Sequence, residues 1–76
     1  MQYIEFHNWQ YGYRKILSTK LFQEHFGMGL KEAHERTDIL LDKQSFILPV
    51  ESEEKANEII KQFTEIGALC RLVKPA

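Results

Sequence analysis

Phe26-Gly27-Met28-Gly29-Leu30, residues 26–30, cuts an otherwise helical run in two. Upstream, Tyr13, Ile16, Leu17, Leu21, Phe22 and Phe26 recur at three- and four-residue steps, one stripe of an amphipathic helix over 13–26. Gly27 stops it, because glycine enters the left-handed conformation common just past a helix end. After the single residue Met28, Gly29 opens a second helix whose apolar side is Leu30, Ala33, Thr37, Leu40 and Leu41. Two glycines around one residue make a sharp turn sterically cheap. The stretch therefore reads as a helix pair, and the order of the remaining elements is built around it.

On the N-terminal side, residues 2–9 alternate, with Ile4, Phe6 and Asn8 on one face and Tyr3, Glu5, His7 and Trp9 on the other. Period two with aromatic and β-branched residues predicts a strand, and Gln10 to Gly12 a turn. On the C-terminal side, Asp42 to Ser45 is a polar loop and Phe46-Ile47-Leu48-Pro49-Val50 a short strand. Its proline has no N–H for a ladder, which places this strand at an edge or turns that position outward. Ser52 is an N-cap, with Glu53 and Glu54 in the first turn where the helix dipole favours negative charge. Ala56, Ile59, Ile60, Phe63 and Ile66 then repeat with helical period up to Gly67. Residues 68–74 form a last strand, Cys70 and Leu72 facing the helices, Leu69, Arg71 and Val73 facing away. The order is β-α-α-β-α-β: an α/β (α+β) two-layer sandwich, three helices on one face of a three-stranded sheet.

The bulk properties agree with one domain over 1–76. A chain this short buries only about 60% of the surface it exposes when unfolded, so its stability margin is thin. Apolar residues make up 43% and charged residues 28%, which separates the chain from disordered sequences. Its apolar runs are too short to span a bilayer, and no signal peptide is legible at the start. A single cysteine, Cys70, excludes an internal disulfide, so the expected location is cytoplasmic. Ten Lys and Arg against eleven Asp and Glu give a net charge of −1. Nucleic-acid binders draw most of their non-specific affinity from a basic excess, so a nucleic-acid partner is not the expectation.

No constellation of catalytic residues stands out. His7, His25 and His34 lack the close spacing of a zinc site and read as surface histidines, with Cys70 a buried thiol. Ser18, Ser45 and Ser52 have no context that would activate a nucleophile. Glu51, Glu53, Glu54 and Glu58 are accounted for by the helix dipole. Gly27 and Gly29 lack the lysine-serine continuation of a phosphate loop. A non-enzymatic domain without metal or cofactor is expected.

The string Gly27-Met28-Gly29-Leu30-Lys31-Glu32-Ala33 resembles the helix junction in the C-terminal domain of the bacterial large-subunit ribosomal stalk protein. The likeness extends over residues 13–74: Lys15 and Lys20 in the preceding helix, Val50, the serine-started acidic helix with Ala56, and Gly67-Ala68 before the last strand. It implies the same β-α-α-β-α-β sandwich and a factor-docking face on the first two helices. Lys15, Lys20 and Lys31 stand at lysine positions of that face, Gln23 where the family has an arginine, and His34 where it has a further lysine. The dimerising segment and hinge that tether the family's domain to the ribosome are not matched within residues 1–76, so tethering to the ribosome is not the expectation. The same fold resembles that of the Clp protease adaptor, but Asn8 is followed by Trp9 rather than aspartate, and residues 40–45 hold no histidine.

Two partner surfaces follow. The first is the basic-leaning helix pair, with Arg14, Lys15, Lys20, Gln23, Lys31 and His34, expected to bind a protein. The alternative for this face is a ribosome- or RNA-associated role. The second is the open side of the sheet, with Tyr3, Trp9, Leu69 and Val73, suited to a partner or to self-association.

Overall fold

A computed structural model describes residues 2–73 of the chain. Their elements are β1 (Gln2–Trp9), α1 (Lys15–Phe26), α2 (Leu30–Leu41), β2 (Phe46–Val50), α3 (Glu53–Glu65) and β3 (Ala68–Val73). The order is the one read from the sequence. Lys74, assigned above to the last strand, lies outside the described residues. The sheet runs β2-β1-β3 with both pairs antiparallel. Pro49 thus lies on an edge strand, where its missing N–H does least harm.

The core is aromatic. Phe6, at the centre of the middle strand, lies within 4.9–6.3 Å (ring centroid to centroid) of Phe22, Phe26, Phe46 and Phe63. These are all five phenylalanines of the chain. Around them Ile4, Ala33, Leu40, Leu48, Val50, Ala56, Ile59 and Ala68 complete the buried layer. α3 supplies Ala56, Ile59 and Phe63 from one stripe, and Ser52 caps it by accepting the Lys55 N–H at 3.2 Å.

At the helix junction only one glycine is left-handed. Gly27 has φ 65°, whereas Gly29 is extended at φ −69°, ψ 165° and serves as the N-cap of α2. The expectation that both glycines ease the turn is corrected accordingly. α1 begins at Lys15 rather than Tyr13.

Two further expectations are overturned. The α1 stripe is rotated: Ile16 is 75% exposed and Leu17 39%, while Ser18, Thr19 and Phe22 point inward. Leu30 of α2 is likewise 60% exposed. Trp9 also changes face. The β1–β3 register passes from Phe6↔Cys70 to Asn8↔Leu69, leaving His7 as an extra residue in a bulge. Beyond the bulge the alternation reverses. Asn8 joins Leu69 on the open side, and Trp9 faces the helices opposite buried Ala68. There the indole Nε1–H donates to the Leu41 carbonyl at 3.1 Å, satisfying an end carbonyl of α2, and its ring stacks on Tyr13.

Candidate functional site

The rotation of α1 creates the site. Hydroxyl residues can face a helix interface when each finds a partner, and here each does. Tyr13 Oη donates to Ser18 Oγ at 2.5 Å. Thr19 Oγ1 donates to the Lys15 carbonyl at 3.0 Å and lies 3.0 Å from Thr37 Oγ1 on α2. A threonine hydroxyl has one hydrogen, so Thr37 is the donor in that pair. Burial raises the Tyr13 pKa, although its hydrogen bonds to Ser18 and Thr37 oppose the shift. The Thr19–Thr37 pair joins α1 to α2 at the floor, and the longer Ile16 and Leu30 are left outside.

The result is a groove of about 400 Å³ between the two helices. Thr19 and Thr37 lie at its base, Ile16 and Leu30 form its apolar walls, and Lys15, Lys20, Gln23, His34 and Asp38 complete its lining. Four of the six residues expected on this face, Lys15, Lys20, Gln23 and His34, are thereby brought together. Lys31 is exposed on the first turn of α2 and does not line the groove. Arg14 is exposed as the N-cap of α1. Among the described residues no carboxylate comes within ion-pair distance of Lys15, Lys20 or Lys31.

Periodicity places Ile16 and Leu30 on core stripes, whereas both stand outside as walls. A signal was present: Ser18, Phe22 and Phe26 also repeat at four-residue steps, with Thr19 beside them. Hydropathy alone gives that alternative face no weight.

The second surface is only partly as expected. Tyr3 lies opposite Val73 on the open face and Leu69 lies further along β3, all half-buried. Trp9 is absent from it for the reason given above. Pairing with β2 adds Pro49 beside Tyr3 and Ile47, 52% exposed, beside Glu5. Across the middle runs an ion pair, Arg71 Nε to Glu5 Oε1 at 2.6 Å.

The remaining candidates resolve locally. His25 hydrogen-bonds Gln62 of α3 at 2.6 Å, His7 sits at the bulge and His34 at the groove. Among the described residues no three His, Cys, Asp or Glu side chains are arranged to hold a metal ion. Burial pushes the Cys70 thiol up to about 12, so almost none of it is thiolate at neutral pH. A second cavity, of about 360 Å³, lies where the α1–α2 turn meets β2 and α3. Glu32, Arg36, Glu51 and Lys55 line it, so both signs of charge are present. Among the described residues no helix is long and apolar enough to cross a membrane.

No protein-family model matches the chain, and no curated protein matches it.

Proposed function

We propose that this domain is a non-enzymatic protein-docking module of the cytoplasm that seats an acidic partner segment in the α1–α2 groove. The observation that carries the reading is the pair of exposed walls, Ile16 and Leu30, beside lysines that have no carboxylate in contact. The walls supply apolar contact, worth roughly 1.5–3 kcal/mol for each aliphatic side chain fully buried. Lys15, Lys20 and Lys31 supply steering and orientation. The resemblance to the stalk C-terminal domain supports the same face. Gln23 and His34 stand at two of its basic positions, so a different partner, or a weaker hold on the same class of partner, is part of the proposal.

Charge reversal tests it. Lys20→Glu with Lys31→Glu should leave stability within roughly ±0.5 kcal/mol, since both residues are exposed. Capture of the protein that co-purifies at native abundance should weaken, and added salt should slow its association with the unaltered domain. Undiminished capture by the variant would overturn the reading. Recovery of RNA with a steep salt dependence would instead favour the ribosome- or RNA-associated alternative.

A further inference from the structure

The two edges of the sheet are unlike. β2 is short, five residues, and carries Pro49, which has no N–H to offer a further strand. β3 has six residues, no proline and one charge, and among the described residues no strand pairs with its outer side. The bulge belongs to β1, so β3 itself runs without interruption. The one charge does not guard the edge. Arg71 reaches back across the open face to Glu5 on β1. The side chains along this edge are apolar on both faces: Leu69 and Val73 on the open side, Cys70 and Leu72 with Ile60 on the helix side, all half-buried.

A strand added here must be apolar on both faces and bring no charge that lacks a partner of its own. β3 itself meets both conditions. We propose that β3 pairs antiparallel with β3 of a second copy about a twofold axis, joining the two sheets into one. Directly opposed residues of an antiparallel pair share a face. Two registers that keep both sets of helices on one side overlap most of the strand. Centring on Arg71 sets two guanidiniums opposite each other, which is unfavourable. Centring on Cys70 sets Leu69 opposite the second copy's Arg71 and Ala68 opposite its Leu72, small against large. One strand pair falls short of the roughly 800 Å² per partner of a standard stable interface. The association is therefore reversible and set by concentration. It shares no residue with the α1–α2 groove, so it stands or falls separately from the docking reading.

Sedimentation equilibrium should show the chain passing from monomer to dimer as concentration rises. Over the same range, the β3 amides that β1 leaves unpaired should gain protection from hydrogen exchange. Leu69→Lys places a second cation opposite Arg71, twice over by symmetry, and should weaken the dimer about tenfold. Leu69→Glu places an anion there and should preserve or tighten it. A chain that stays monomeric when concentrated overturns the proposal. So does a dimer whose β3 amides gain no protection, or one that both substitutions dissociate alike, the result expected of stacked sheet faces. If the lysine variant does not fold, the exchange comparison on the unaltered chain decides by itself.

Discussion

Gly67 follows α3 at φ 94°, and a Cβ built on it would lie 2.8 Å from the Tyr13 Cα and 3.1 Å from the Tyr13 backbone nitrogen. The approach is fixed from both sides, because Gln10 N–H donates to the Gly67 carbonyl and Arg14 N–H to the Ile66 carbonyl, each at 2.9 Å. Those two bonds hold the β1–α1 loop against the end of α3. Gly27 has a left-handed φ as well, but nothing lies within 4 Å of its would-be Cβ. The two glycines therefore have different physical requirements, backbone conformation alone at Gly27, conformation and space together at Gly67. Gly27→Val should cost at least ~1 kcal/mol. Gly67→Ala, although the smaller change, should cost more, because the clash is with backbone that cannot swing aside. Urea midpoints of the two variants check the order. A Gly67→Ala variant as stable as the original chain would mean that the loop is not held where it is described.

At the scale of elements, α1 is where hydropathy and structure part. Its buried face is built from Ser18, Thr19 and Phe22, with Ile16 left in solvent. If Ile16 packed in the core, truncating it would cost roughly 2–5 kcal/mol. On the surface, Ile16→Ser should change stability by no more than roughly 0.5 kcal/mol, while Phe22→Ala should cost about 3–5 kcal/mol. Chemical denaturation of the two variants separates the alternatives, and a large loss for Ile16→Ser would contradict the groove itself. α3 was legible because its caps, dipole charges and apolar stripe all agree, from Ser52 through Phe63 to Gly67. α1 was not, because hydroxyls bound to Lys15, Thr37 and Tyr13 cost little to bury, and periodicity cannot see those partners. The face of Trp9 was hidden for a related reason. One extra residue at His7 inverts the alternation after it, and a bulge is visible only once the partner strand is in place.

Over the whole molecule, the element order followed from local patterns, whereas the aromatic core centred on Phe6 and the sites depend on which elements meet. The lysine face could be named from Lys15, Lys20 and Lys31, but its apolar walls emerged only with α1 set against α2. Ile47 and Pro49 joined the open face only through their pairing with β1. The two proposed surfaces are separate: the α1–α2 groove for an acidic partner, and the outer edge of β3 for a copy of the chain. The groove is the central claim. It is tested most directly by a photo-crosslinking side chain placed at Ile16, with a control at Ile47 on the open face, in the cells that make the protein. The account predicts a protein adduct from position 16 that fades when Lys20 is replaced by Glu, and none of comparable yield from position 47. An adduct to RNA, or one formed from position 47 alone, would contradict it.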